Sequence, residues 1–293
     1  MIAGHALAGA GPGERESGRA TGTDVGLDFA ATDFQRVRTL IFRKAGISLQ
    51  AGKQAMVYSR LSRRLRDLGH RSVRAYLDEL EALRGNAAEA EWQEFVNCLT
   101  TNLTAFFRED HHFPILAAEL VARASEPIRI WCNAASTGEE PFSIAMTAIE
   151  ALGPAANVRI VCSDIDTRGL ATAERGIYDA GAKGLDAARL NRHFRRGSGA
   201  NAGRVMVKPE LRRLVEFQTC NLMDAKLSLG APFDIIFCRN VMIYFDVPTQ
   251  RAVLERMYRA ARPGALLFAG HSENFNASRD LFRLRAKTVY ERA

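Results

Sequence analysis

The chain has 293 residues, 47% hydrophobic and 25% charged, with a net charge of +7. That length sustains a sizeable core and about two domains, and the composition is that of an ordinary soluble globular protein, with no apolar run reaching the roughly 18 residues a membrane span requires. Five widely spaced cysteines, Cys98, Cys132, Cys162, Cys220 and Cys238, leave no CxxC metal knuckle, and their odd number argues against a disulfide framework.

Residues 1–27 are rich in Gly and Ala and lack the basic start and continuous apolar segment of a secretory signal, so a disordered tail on a cytoplasmic protein is expected. From 33 to 99 the apolar spacing is helical: Phe34, Val37, Leu40 and Ile41; Val57, Leu61, Leu65 and Leu68; Val73, Tyr76, Leu77 and Leu80; Trp92, Phe95, Val96 and Leu99. This predicts a small all-α domain over 28–95, with Gly69 closing its second helix and 81–91 as a loose connection. Residues 34–76 hold eleven Lys and Arg against one acid, Asp67. Along the helix expected over 53–68, Val57, Leu61, Leu65 and Leu68 share one arc and Lys53, Arg60, Arg63 and Arg64 a neighbouring one. One arc packs; the other attracts anions, or is simply a solvated charged face.

Past residue 126 the pattern changes to short apolar runs separated by helical stretches: PIRIWCN, NVRIVCSD, LVEFQTCN, FDIIFCRN and GALLFAGHSEN. This predicts a mostly parallel sheet flanked by helices over 96–293. Each run ends in polar residues, namely Asn133, Ser163 with Asp164, Asn221, Arg239 with Asn240, and 271–274. Ligands in open α/β sheets bind beyond the carboxyl ends of the strands, so these clusters converge on one crevice. The stretch 186–213, with RRGSGANAG before an alternating RVMVK, reads as a small inserted antiparallel hairpin. The closing FRLRAKTVYERA has strand character and closes the sheet edge.

The turn WCNAASTGEEPFSIAM is not a GxGxxG fingerprint, and two acids at the start of its helix, Glu139 and Glu140, suit a cationic ligand or else complement the helix dipole. Asp164 stands where a nucleoside-binding fold places an acid for ribose hydroxyls, with Asp166 as its competitor and helix capping as the plainer role. In TTNLTAFFRED, a lid or interdomain connection, Arg108 is either a surface cation or a fork for a carboxylate. His111 and His112 point differently on a helix and lack the spacing of a metal site. FDIIFCRNVMIYF carries Arg239 and Asn240 from a buried strand, with Tyr244 following on an expected helix. No nucleophile and base arrangement is readable, and alkylation of an ionised carboxylate requires none. The basic helical part also suits a phosphate backbone, but no aromatic-interleaved stacking surface accompanies it.

Together, TNLTAFFRE, ASTGEEPFSIA, SDIDTRGLATAERGIY, FCRNVMIYF and LLFAGHSENF resemble the chemotaxis protein methyltransferase family, CheR, over residues 30–291. The resemblance implies a Rossmann-like methyltransferase domain with an inserted β-subdomain, preceded by the all-α domain. It implies methyl transfer from S-adenosylmethionine to chemoreceptor glutamates, giving methyl esters and S-adenosylhomocysteine, without a metal. It assigns cofactor contacts to Asn102, Thr104, Arg108, Glu139, Asp164, Asn221, Leu222, Arg239 and Asn240. Within that set Asp164 would hold the ribose, Glu139 would face the cationic amino-acid part, and Asn221 and Leu222 would bound the adenine. Arg108 and Tyr244 would orient the substrate carboxylate. Lys53, Arg60, Arg63 and Arg64 would meet the cytoplasmic helical region of the receptor, and the β-subdomain would hold a receptor C-terminal peptide by strand addition. A cytoplasmic monomer recruited to membrane-bound receptor arrays, with no nucleic-acid partner, completes the expectation. Cys132, Asn133 and Phe142 depart slightly from the familiar pattern.

Overall fold

The computed structural model describes residues 28–230 and 232–293; the tail expected over 1–27 lies outside the described residues. Helices α1 (Ala31–Ala45), α2 (Gln54–Asp67), α3 (Val73–Ala82) and α4 (Gly85–Leu99) form the amino-terminal bundle. Their apolar arcs meet in one core containing Phe34, Ile41, Val57, Leu61, Leu65, Tyr76 and Phe95. The ends are capped locally. Asp33 accepts the N–H of Ala30 at 3.0 Å at the start of α1, and Ser72 accepts that of Ala75 at 3.2 Å at the start of α3.

Three expectations for this region change. Leu68 caps α2 and is 41% exposed, because the helix ends before its arc completes another turn. The stretch 81–91 is almost entirely helical, since α4 begins at Gly85 after a two-residue break. A boundary at 95 falls within α4, and the chain leaves the bundle at Thr100.

The second half runs through α5 (His112–Ala122), β1 (Ile128–Asn133), α6 (Glu139–Leu152), β2 (Val158–Asp164), α7 (Thr167–Arg175), β3 (Ile177–Asp179), α8 (Ala187–His193), β4 (Phe194–Arg196), β5 (Arg204–Val207) and α9 (Pro209–Arg212). It continues with β6 (Val215–Thr219), β7 (Phe233–Cys238), α10 (Val247–Ala260), β8 (Ala261–Ala269), β9 (Phe282–Ala286) and β10 (Val289–Arg292). Seven strands form one sheet in the order β6-β2-β1-β7-β8-β10-β9. All pairings are parallel except those of β10, which runs antiparallel to β8 and β9. Every residue of β7 is buried, as expected for a central strand covered on both faces. Its one acid, Asp234, accepts from Arg262 Nη1 at 2.7 Å and from the Arg129 N–H at 2.8 Å. Among the described residues no helix is long and apolar enough to cross a membrane.

The insertion is larger than the expected hairpin over 186–213. It is a three-stranded antiparallel sheet in the order β3-β5-β4, beginning at Ile177. Strand β3 has three residues, too few for alternation to register. It is held instead by Tyr178, whose ring lies 5.0 Å from that of Phe106 and whose hydroxyl donates to the Thr137 carbonyl at 2.8 Å.

The two halves are joined at a polar seam. Asn221 Nδ2 donates to the Lys44 carbonyl at 2.8 Å and the Ser48 N–H donates to the Tyr244 carbonyl at 2.7 Å, while Arg60 fixes the connection beside them by donating to the Leu99 carbonyl and to Thr101 Oγ1, each at 2.8 Å. Gly46, in the left-handed region at φ 72°, ends α1 against this seam. A Cβ there would lie 2.6 Å from Met223 Sδ and 3.1 Å from Phe245, so the contact requires glycine on both counts.

Candidate active site

A cleft of about 490 Å³ opens at the carboxyl ends of β1, β2, β6 and β7 and is closed on its far side by the α1–α2 connection. Of the residues expected to contact a cofactor, Asn102, Thr104, Arg108, Asp164, Asn221, Leu222, Arg239 and Asn240 line it, together with Tyr244. Lys53 and Arg60 reach its wall from the helical bundle.

The loop 100–110 crosses the cleft and is tied down at both ends. Asn102 Nδ2 donates to Asp166 Oδ2 at 2.7 Å, and Asn102 Oδ1 accepts from Ser136 Oγ at 2.9 Å. Further on, Phe107 and Glu109 both take left-handed backbone angles, which costs each about 1–2 kcal/mol and has to be met by surrounding contacts. Between them the half-buried Arg108 donates through Nη1 to the Leu103 carbonyl at 2.9 Å, and no carboxylate pairs with it among the described residues.

Asp164 and Asp166 divide the two roles that the sequence left open. Asp166 is buried as the cap of α7, accepting from the N–H groups of Arg168 and Gly169 at 2.9 and 3.0 Å. Asp164 faces the cleft, and its two oxygens accept one backbone N–H each, from Ser136 and Asp166, both at 2.8 Å. Burial pushes its pKa up, while these backbone bonds pull it down. Each carboxylate oxygen retains a lone pair for a hydroxyl donor.

The two acids that open α6 are placed differently. Glu139 stands outside the cleft lining and accepts from Thr137 Oγ1 at 2.6 Å, whereas Glu140 lines the cleft. The sequence could not order the two, because both occupy the first turn and only the helix direction decides which faces inward. Gly138, left-handed at φ 99°, sets that direction where a Cβ would meet the Tyr178 hydroxyl at 2.5 Å.

Arg239 is the electrostatic centre of the site. Its side chain is 1% exposed and donates to Glu140 and to the Arg108 carbonyl, and Nη2 lies 3.4 Å from Glu109. Burial alone would lower its pKa; Glu140 and then Glu109 outweigh that and hold it above its ordinary value. Its guanidinium is thus engaged within the protein and fixes the floor of the cleft. Asn221 is similarly engaged, its Oδ1 accepting the Met223 N–H at 3.0 Å in addition to its bond across the seam. Leu222 supplies a buried apolar wall beside it.

Two acids essential to this geometry were not singled out by sequence reasoning. Glu109 accepts from the His271 N–H at 3.1 Å and sits 2.8 Å from His271 Nδ1. Burial would raise its pKa, but the His271 hydrogen bond and the Arg239 charge pull it down to about 2. Glu273 is buried beneath residues 239–242 and accepts four backbone N–H groups: Gly270 at 2.6 Å, Met242 at 2.8 Å, Val241 at 2.9 Å and Asn240 at 3.0 Å. The only signal available was that each is the one acid of its quoted motif, FFRE and GHSEN. Tyr244 closes the turn Met242–Tyr244, a single 3₁₀ turn rather than the expected helix.

The basic arc of α2 is divided. Lys53 and Arg63 are exposed, Arg60 is engaged at the seam, and Arg64 is taken up inside the bundle. Arg64 pairs with Glu91, which also accepts from the Tyr76 hydroxyl at 2.8 Å, so Arg64 holds α2 to α4. His111 and His112 both lie against Thr288 Oγ1, at 3.3 and 2.7 Å, away from the cleft.

Counted within the main sheet alone, the strand order is 3-2-1-4-5-7-6 with the seventh antiparallel. That inserted strand separates this sheet from the dinucleotide-binding order 3-2-1-4-5-6, and with a nucleoside-type acid at the end of the second strand it defines a Rossmann-like methyltransferase. The descriptions "CheR methyltransferase, all-alpha domain" and "CheR methyltransferase, SAM binding domain" match residues 32–100 and 102–290, and the chain belongs to the CheR methyltransferase family. It is 51% identical over 267 residues to the chemotaxis protein methyltransferase of Klebsiella aerogenes, covering 90% of each chain. It is 51% identical over 266 residues to that of Salmonella typhimurium and 50% over 266 residues to that of Escherichia coli K12, covering 90% of this chain and 91% and 92% of theirs.

Proposed function

We propose that the chain transfers a methyl group from S-adenosylmethionine to glutamate side-chain carboxylates of a chemoreceptor, leaving methyl esters, for sensory adaptation. The observation that carries this reading is Arg108, a half-buried guanidinium in the cleft wall with no carboxylate of its own among the described residues, in the same cleft as Tyr244. A fork of donors left open in this way suits an incoming carboxylate.

The cleft fits the cofactor by its donor set. Asp164 keeps acceptor capacity for ribose hydroxyls, Leu222 offers an apolar wall to the adenine, and Glu139, in the first turn of α6, is the acid left for the cationic end, because Glu140 is paired with Arg239. When bound, S-adenosylmethionine supplies an electrophilic methyl group. The protein's contribution is positioning. Arg108 and the Tyr244 hydroxyl bind and orient a carboxylate that is already ionised near neutrality, so no general base is required. Aligning two bound reactants in this way lowers the barrier by about 7–11 kcal/mol. The fixed turn over Glu273 and the hub at Arg239 keep the two orienting groups in register.

The partner in this reading is the cytoplasmic helical region of a receptor, met by Lys53, Arg63 and the remaining exposed cations of α2, with Arg60 at the cleft wall. The three-stranded subdomain would hold a receptor C-terminal peptide along an exposed edge, with β5 already paired on both sides. The protein would act as a cytoplasmic monomer recruited to receptor arrays.

The test is transfer of tritiated methyl groups from S-adenosylmethionine to receptor-containing membranes as base-labile esters. Transfer that Arg108→Ala abolishes while S-adenosylhomocysteine still binds supports the reading. Absence of transfer to any receptor of the host overturns it, and unchanged cellular function in Arg108→Ala would make the chain a scaffold.

A further inference from the structure

The mouth of the cleft carries apolar side chains where a site for a small polar substrate would not need them. Leu103, at the crest of the loop 100–110, is 79% exposed, and Ile243, in the turn Met242–Tyr244, is 51% exposed; both line the cleft. Val247, 74% exposed at the start of α10, stands four residues beyond Ile243. At Ile243 this exposure is not loose packing: Met242 beside it is buried, and the turn containing both is held by Glu273.

Both residues are tied to the groups proposed to orient the carboxylate. The Leu103 carbonyl accepts from Arg108 Nη1 at 2.9 Å, which ties the backbone that carries this side chain to the guanidinium. Ile243 directly precedes Tyr244 in the same turn. An acceptor carboxylate entering between Arg108 and Tyr244 therefore brings its own neighbours against Leu103 and Ile243. Lys53 and Arg60, on the bundle side of the cleft, attract acidic segments but do not distinguish one carboxylate from the next.

We propose that Leu103 and Ile243 are specificity-determining residues, forming an apolar lip that selects among the carboxylates of an acidic amphipathic helix those flanked one turn away by small or apolar side chains. This rests on the reading of the site as a protein-carboxylate methyltransferase. On a helix, the residues three and four positions from the acceptor share its face. An alanine or leucine there buries against the lip, whereas an aspartate or glutamate there is stripped of water without a partner. The cationic wall gives attraction to the helix as a whole, and the lip gives the choice of residue along it.

The experiment uses the full chain with Leu103→Ser, Ile243→Ser and both together, and a receptor cytoplasmic fragment. Three quantities are read: fragment affinity in saturating S-adenosylhomocysteine, S-adenosylhomocysteine affinity, and the distribution of methyl esters among glutamates by mass spectrometry. The double variant should bind the fragment roughly tenfold more weakly, the equivalent of losing about 1.4 kcal/mol. Its S-adenosylhomocysteine affinity should change by less than about twofold, and its esters should spread to acid-flanked glutamates. Leu103→Met with Ile243→Val should restore the parent distribution. An unchanged fragment affinity and ester distribution overturns the lip, as does a matching loss of S-adenosylhomocysteine affinity, which would make these residues cofactor walls. Failure of the parent chain to esterify any glutamate overturns the methyltransferase reading itself, and the lip with it.

Discussion

The Glu273 carboxylate accepts the backbone N–H of Asn240 at 3.0 Å, and Asn240 takes a left-handed φ of 59° to present it. With the N–H groups of Val241, Met242 and Gly270 on the same two oxygens, one buried acid shapes the whole turn that delivers Asn240 and Tyr244 to the cleft. A glutamine cannot accept all four, because its amide nitrogen is itself a donor. Glu273→Gln should lower unfolding free energy by about 1–3 kcal/mol in urea titration. It should also weaken S-adenosylhomocysteine binding, since the turn is part of the cleft wall.

Removing Arg239 should be far more costly than removing an exposed arginine. Arg239→Met leaves Glu109 and Glu140 buried without their shared cation, a loss of about 3–5 kcal/mol. Adding Glu140→Gln should recover part of it, and chemical denaturation of the single and double variants reads the difference. The Glu109 carboxyl, held down to about 2, contributes stability above the ordinary carboxylate pKa that is lost as pH falls from about 4.5 toward 2. That acid-side loss should be blunted in Arg239→Met.

Asp164→Ala tests the nucleoside assignment. The substitution removes the acceptor facing the cleft and leaves the Ser136 and Asp166 N–H groups unpaired. Titration calorimetry should show S-adenosylhomocysteine binding weakened roughly tenfold to a hundredfold, the equivalent of about 1.5–3 kcal/mol. Asp166→Ala should instead act first on stability, costing about 1 kcal/mol for the lost cap of α7 and more for the freed Thr100 and Asn102 contacts that anchor the loop.

His112 predicts a second acid sensitivity, away from the cleft. Burial, followed by the Arg239 charge, holds its pKa down to about 3, so the imidazole stays neutral in the fold while the unfolded chain takes up a proton below about 6.5. The unfolded state then binds more protons, and stability falls with pH at up to about 1.4 kcal/mol per unit between those values. Urea midpoints at pH 7, 6 and 5 should fall less steeply in His112→Phe than in the parent; an identical slope would remove His112 from the account.

The sheet and its crevice were legible because buried parallel strands write themselves as apolar runs, and FDIIFC needed no context to be placed at the centre. The end of each run marked the cleft for the same reason. What escaped was decided by direction and by partners distant in sequence. Glu139 and Glu140 are equivalent until the entry angle of α6 is known. Arg64 looks like its neighbour Arg63 until Glu91, 27 residues on, is folded against it. Glu273 acts through backbone N–H groups, which leave no side-chain pattern to read. The short strand β3 carries no periodicity at all, so the sequence pattern places the start of the inserted sheet later than the structure does.

Gly46 bears on how this protein can be taken apart. The end of α1 is fitted to Met223 and Phe245 with no room for a methyl group, and the connection that follows it forms one wall of the cleft. The two halves are therefore not interchangeable modules: a chimera that exchanges the helical bundle at residue 100 imports a foreign wall into the cleft. Recombination that respects the molecule would move residues 45–60 together with 221–223 and 243–245, treating the seam, rather than either domain, as the heritable unit.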